Sequence, residues 1–160
     1  MQVVVMGVSG CGKSTIGKTL ATALAANFID GDDLHPASNI KKMSDGIPLN
    51  DDDRRPWLID VGKALSANSN SVIACSALKR SYRDLIREYA PDAKFLHLVG
   101  SKEILRARMN SRDGHFMKPE MLESQLATLE NLQSDEAGGA YEISDSPQEI
   151  IRKFISDFSK

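Results

Sequence analysis

Residues 7–14, Gly7-Val8-Ser9-Gly10-Cys11-Gly12-Lys13-Ser14, fit G-x-x-x-x-G-K-[ST] and follow directly on the apolar run Val3-Val4-Val5-Met6. That run reads as a buried strand, and behind the loop Ile16, Leu20, Ala23 and Leu24 recur at helical spacing. A glycine loop between a strand and a helix is the context that separates a phosphate-binding P-loop from a chance match. Glycines let the backbone curl with its N–H groups turned inward on a polyphosphate, and the helix N-terminus adds partial positive charge. Lys13 then reaches the β- and γ-phosphates, and the Ser14 hydroxyl is a ligand for Mg²⁺. Gly7, Val8, Ser9, Gly10, Cys11, Gly12, Lys13, Ser14 and Thr15 are therefore the expected nucleotide-binding residues. Cys11 occupies a free position of the pattern and reads as a small filler, not a nucleophile.

The 160 residues suit a single domain, 1–160, with a core of its own. Twenty Lys and Arg against 22 Asp and Glu leave a formal net charge of −2, so no global basic field recruits nucleic acid or an anionic membrane. Any anion must be held by local charges. The chain runs from Met1 straight into a strand without a basic or long apolar leader, so neither secretion nor membrane insertion is indicated. Two cysteines, Cys11 and Cys75, make neither a disulfide framework nor a metal site, and a reducing cytoplasm is the expected location.

Asn27-Phe28-Ile29-Asp30 reads as a second strand ending in Asp30-Gly31-Asp32, with both carboxylates on one side of the chain. At the carboxyl end of a parallel strand they face the ligand crevice; a solvated acidic turn is the alternative. The polar stretch of about 34–55 reads as a substrate-binding insertion with a short helical piece over 39–43. A helix is expected to start at Pro56, with Trp57, Leu58, Val61 and Leu65 as its apolar stripe. Arg54 and Arg55 then lie before it, where the helix dipole does nothing for a cation; Arg55 is assigned to the surface. Residues 71–76 read as a third strand that lacks the terminal Asp many P-loop enzymes use for Mg²⁺, so the metal relies on Ser14, phosphates, water and the Asp30/Asp32 pair. In the basic helix that follows, Lys79 and Arg83 share one face. Residues 95–99 form a fourth strand with a structural His97, and Ser101 caps the next helix. Arg106, Arg108 and Arg112 lead through Asp113-Gly114-His115 into a helix over 119–132, so about 106–125 reads as a lid; an exposed helical hairpin is the alternative. Residues 140–143 form a fifth strand, and Ser146-Pro147-Gln148-Glu149 a capping box for a last helix. The alternation implies an α/β fold: a parallel sheet of about five strands with helices on both faces and the P-loop strand at its centre.

Asp30-Gly31-Asp32-Asp33-Leu34-His35-Pro36, Lys42-Met43, Gly46-Ile47-Pro48-Leu49 and Asp51-Asp52-Asp53-Arg54-Arg55-Pro56-Trp57-Leu58 resemble the substrate segment of gluconate kinases. Cys75-Ser76-Ala77-Leu78-Lys79 with Tyr82-Arg83-Asp84, and His115-Phe116-Met117 with Ser124-Gln125, are similar to that family's third-strand and lid regions. The resemblance covers roughly residues 3–130. It implies ATP- and Mg²⁺-dependent phosphorylation of D-gluconate at its 6-hydroxyl, in a fold shared with shikimate and adenylate kinases, commonly as a homodimer. A small polyol with one carboxylate calls for hydroxyl partners and one or two cations, which Asp32, His35, Arg54, Lys79, Arg83 and Gln125 supply; His115 joins them through the lid motif. Lys13 with Arg108 and Arg112 neutralises the transferring phosphoryl group, Asp32 is the candidate base or orienter, and Ser14 ligates Mg²⁺ while Asp30 helps hold it through water. Another small-metabolite kinase, of the shikimate or nucleoside monophosphate type, and a nucleotide-binding switch without a small substrate are the alternatives.

Overall fold

β1 (Gln2–Met6) is apolar along its whole length because both of its faces are covered. Val3 and Val5 pack into one hydrophobic cluster and Val4 and Met6 into another, on opposite sides of the sheet. The computed structural model describes residues 1–110 and 119–158. Within them, β2 (Asn27–Asp30), β3 (Ser71–Ala74), β4 (Lys94–Val99) and β5 (Gly138–Glu142) join β1 in one sheet of order β2-β3-β1-β4-β5. Every pairing is parallel, and β1 is central, as the sequence implied.

The helices are α1 (Lys13–Leu24), α2 (Ala37–Ser44), α3 (Asp51–Ser66), α4 (Arg80–Tyr89), α5 (Lys102–Asn110), α6 (Pro119–Thr128) and α7 (Pro147–Phe158). α1 and α7 close one face of the sheet, with Ile16, Leu20 and Phe154 in its core; α3 and α4 close the other, with Trp57, Leu58, Leu65 and Ile86. Leu105 of α5 and Leu122 of α6 are buried in the first of these cores. Among the described residues no helix is long and apolar enough to cross a membrane.

Two helix ends differ from the sequence reading. α3 begins at Asp51, not at Pro56: Asn50 caps it, its side chain accepting from the Asp53 N–H at 2.8 Å while Asp53 Oδ2 accepts from the Asn50 N–H at 3.0 Å. Pro56 therefore sits inside the helix, where it removes one backbone donor at a cost of about 3 kcal/mol. The cap contributes about 1 kcal/mol, and the first-turn carboxylates Asp51, Asp52 and Asp53 at the positive end of the helix dipole add about 0.3–1 kcal/mol each, which offsets a cost of that order. Arg54 and Arg55 consequently lie within the first turns of α3, not ahead of it. At the other end of the chain the capping box of α7 is half formed. Ser146 Oγ accepts from the Glu149 N–H at 3.2 Å, but the Glu149 carboxylate pairs with Arg152.

Candidate active site

The phosphate loop is held by its glycines and by its neighbours. Gly7 has φ +146°, and a Cβ there would lie 2.7 Å from Cys11 Sγ and 2.9 Å from the Leu98 carbonyl, so no larger residue fits. Gly12, in left-handed conformation, starts α1 and leaves the helix N-terminus facing the loop. Cys11 is buried, and burial raises its thiol pKa against the pull of Lys13 and Arg108, as suits a filler. Lys13 Nζ donates to the Val8 carbonyl at 3.2 Å, which keeps the ammonium over the loop. The Ser9 N–H donates to Gln125 Oε1 at 2.7 Å. Gln125, read from sequence as a substrate ligand, thus ties α6 to the phosphate loop.

The Asp30-Gly31-Asp32 turn stands at the carboxyl end of β2. A Cβ on Gly31 would lie 2.4 Å from the Ala74 carbonyl, so only glycine lets the turn pack against the end of β3. Asp30 Oδ1 accepts from the Asp32 N–H at 3.0 Å, and Ser14 Oγ lies 3.5 Å from Asp30 Oδ2. Two oxygens side by side at the end of the loop suit a hard cation such as Mg²⁺. Among the described residues no three His, Cys, Asp or Glu side chains group to hold a metal by themselves, so phosphate and water oxygens would complete its shell. Burial, and then the Asp30 charge, raise the Asp32 pKa above the ordinary carboxylate value, while Lys13 and His35 draw it down.

His35 stacks on Trp57 with ring centroids 4.1 Å apart and 15° between planes, and Trp57 Nε1 donates to the Gly31 carbonyl at 2.7 Å. The 30–35 turn is thereby locked to α3. Burial lowers the His35 pKa, with Asp32 raising it and Arg54 lowering it. Arg54 Nη1 donates to Tyr82 Oη at 3.1 Å, and the Tyr82 hydroxyl donates to Asp51 Oδ1 at 2.6 Å. Lys79 Nζ lies 3.7 Å from Asp51 Oδ2 and 5.5 Å from the Tyr82 ring centroid. Two cations from different elements, Arg54 of α3 and Lys79 just ahead of α4, meet around one tyrosine. The Ser14–Asp30 and Asp30–Asp32 contacts and the Trp57 anchor on Gly31 set this turn, His35 and α3 with its Arg54 beside the loop, and Tyr82 and Asp51 join Arg54 to Lys79.

Arg83 is a correction. It is fully buried, its Nε and Nη2 donating to Glu136 at 2.7 and 3.0 Å and its Nη1 to the Ala77 carbonyl at 2.9 Å. A guanidinium buried at 0% exposure and committed to a buried carboxylate does not reach a substrate. Its position four residues after Lys79 places it on the inner face of α4, where the apolar stripe of Tyr82 and Ile86 carries it into the core. Burial disfavours the charged form of Glu136, but Arg83, the Gln133 N–H and Arg87 outweigh it and hold the carboxyl down at about 2.

On the other side of the loop, Gly10, Gly12, Thr15, Arg108, Ile143 and Pro147 line part of a cavity of about 230 Å³. Arg108 Nη2 donates to the Ile143 carbonyl at 2.8 Å, and Nη1 to that of Cys11 at 3.4 Å, so the guanidinium spans from the loop to the end of β5. A half-apolar cleft beside a phosphate loop is where the base and sugar of a nucleotide belong. Arg106 pairs with Glu123, as does Lys102 at 2.6 Å, so α5 and α6 are clasped to each other. The expected sites Arg112 and His115 lie outside the described residues.

Sequence reasoning missed Tyr82 and Asp51 as partners of the two cations, and Ile143 and Pro147 beside the loop. An aromatic in an amphipathic stripe reads as core, and only the tip of Tyr82 is polar. Residues 143–147 come from the far end of the chain, and nothing in their spacing announces a return to the loop. The Asn50-x-x-Asp53 pair was a usable signal for the true start of α3.

The shikimate kinase family model matches residues 9–158. The chain is 51% identical over 137 residues to the thermosensitive gluconokinase of Escherichia coli K12, covering 83% of this chain and 73% of that one. It is 43% identical over 159 residues to the gluconokinase of Gluconobacter oxydans, covering 97% and 89%. A crystal structure of a gluconokinase from Sinorhizobium meliloti superposes with a TM-score of 0.91 at 47% identity, over 99% of this chain and 91% of that one. With a phosphate loop, a paired-cation site and relatives of this similarity along most of its length, the chain belongs to the gluconokinases, within the shikimate kinase family of P-loop proteins.

Proposed function

We propose that the protein transfers the γ-phosphoryl group of ATP to the 6-hydroxyl of D-gluconate. The observation that carries this reading is the pairing of Arg54 and Lys79 around Tyr82, tied to the phosphate loop by the Asp30–Asp32 turn and its Trp57 anchor, with a cleft on the loop's other side. A planar guanidinium and an ammonium suit a single carboxylate, and Asp32 and His35 suit hydroxyls. Arg54 and Lys79 fix the acid end of the substrate, which leaves its far hydroxyl for Asp32. An Asp32 carboxylate with a raised pKa is a stronger base than an ordinary one, and it orients that hydroxyl and takes its proton as the bond to phosphorus forms. Lys13, with the N–H groups of the loop, neutralises the phosphoryl oxygens, and Arg108 adds charge from the nucleotide side. Ser14 and Asp30 would hold Mg²⁺, which would supply positive charge to offset that of the phosphates. Arg112 and His115 are assigned to the phosphates and to gluconate, respectively, by the family motif.

Closure of the segment around 106–125 over both substrates, assembly as a homodimer and a cytoplasmic location complete the proposal; light scattering of the purified protein tests the dimer. The decisive assay is ADP release with ATP, Mg²⁺ and a panel of acids that includes gluconate and shikimate. Release above the ATP-only background with gluconate supports the reading, and release with shikimate alone assigns the site to the other acid.

A further inference from the structure

Asn39 is one of the few polar side chains buried among the described residues, 2% exposed, and it is the hub between three elements. Its Nδ2 donates to the Asp53 carbonyl at 2.9 Å. A carbonyl oxygen only accepts, so this bond identifies the amide nitrogen without ambiguity. The same nitrogen lies 3.2 Å from His35 Nδ1, so its second hydrogen meets a ring nitrogen that must present a lone pair. Neutral His35 therefore carries its proton on Nε2. The ring cannot turn away: it is stacked on Trp57, which is anchored to the Gly31 carbonyl. Nor is the Asp53 end loose, since its side chain caps α3 and pairs with Lys42 at 2.8 Å.

We propose that Asn39 is a positioning residue that fixes His35 as an Nε2–H donor, so that the acceptor site presents a hydrogen-bond donor, and not an acceptor, to an oxygen of the sugar acid. The proposal rests on the reading above that His35 faces the substrate. Burial supports it by keeping the ring neutral, with Asp32 and Arg54, the two charges that face it, acting in opposite directions. The consequence is selectivity. A site built around a fixed donor rejects an acid that lacks the matching oxygen far more strongly than a site whose ring is free to exchange tautomers.

The test begins without substrate. Nitrogen-15 spectra of the imidazoles in the wild-type protein should show His35 protonated at Nε2 and bare at Nδ1; a proton on Nδ1 overturns the proposal whatever the enzyme acts on. In Asn39→Asp the new carboxylate accepts from Nδ1–H, so the proton should appear on Nδ1. The KM for gluconate should then rise about tenfold or more, with the KM for ATP unchanged. A double-mutant cycle separates this from a packing role. Glutamine at position 35 carries its N–H near the place of Nε2 and has no tautomer to fix, so Asn39→Leu should raise the gluconate KM in the wild-type background and much less beside His35→Gln. Equal losses in both backgrounds make Asn39 merely structural. Absence of gluconate turnover in the wild type defeats the assignment of function but leaves the tautomer arm to be decided on its own.

Discussion

At the scale of the residue, the roles proposed for Asp32 and Arg54 separate chemistry from binding. Asp32→Asn keeps shape and hydrogen bonding while removing the charge, so nucleotide binding should persist and kcat should fall about a hundredfold to ten-thousandfold; near-normal turnover removes Asp32 from the mechanism. Because burial and Asp30 raise its pKa, the acid limb of the rate profile should lie above the pH of an ordinary aspartate, activity being lost as pH falls through that value. Arg54→Lys keeps the charge but loses the fork that reaches Tyr82, so the KM for gluconate should rise much more than that for ATP. An equal rise in both points to the fold instead. These residues were legible because their types are costly to place where they stand: carboxylates at a strand end, and an arginine at a helix start. Tyr82, Asp51 and Asn39 were not, because a tyrosine in an apolar stripe or an asparagine in a polar stretch differs from its bland counterpart only in what the tertiary fold sets beside it.

At the scale of the element, the fate of Arg83 shows where a local rule fails. Spacing put Lys79 and Arg83 on one helical face, but Lys79 is the extended N-cap of α4 and only Arg83 lies on its inner turn, and Glu136 lies 53 residues away. The pair fastens α4 to the segment between α6 and β5, where Arg80 also reaches Asp135 at 2.7 Å and the Glu130 N–H donates to the Leu78 carbonyl at 2.7 Å. Glu136→Ala should destabilise the protein by about 3–5 kcal/mol in urea unfolding, since it leaves a buried guanidinium unpaired. A loss within the range of a surface substitution, about 0.5 kcal/mol, contradicts that role. The carboxyl's pKa is depressed in the folded state, so its contribution is present above the unfolded value of about 4.3 and is lost as pH falls toward about 2. The helices beyond bear on closure. α5 and α6 are anchored by Leu105 and Leu122 and by the Ser9–Gln125 bond, which gives a lid fixed roots. Amide exchange in the outer turns of α5 and α6 should slow when a nonhydrolysable ATP analogue and gluconate are present together, and exchange indifferent to both ligands leaves the pair as a static hairpin.

At the scale of the whole molecule, the alternation of strands and helices made the sheet, its parallel sense and the central place of β1 readable. Apolar runs of this length have no stable home except between two helical layers. The helix boundaries were less readable, because capping and first-turn carboxylates compete with proline over a few residues. The sheet places the phosphate loop between the Arg54 and Lys79 side, built from β2, α3 and the start of α4, and a cleft lined from α5, the end of β5 and the start of α7. The proposed transfer uses both sides of the loop, so the most direct measurement is ADP release by wild type and Lys13→Ala, with and without gluconate. The account predicts gluconate-dependent release by the wild type, falling about a hundredfold or more in the variant while its fold is retained. Release that is the same with and without gluconate, or undiminished in Lys13→Ala, contradicts it.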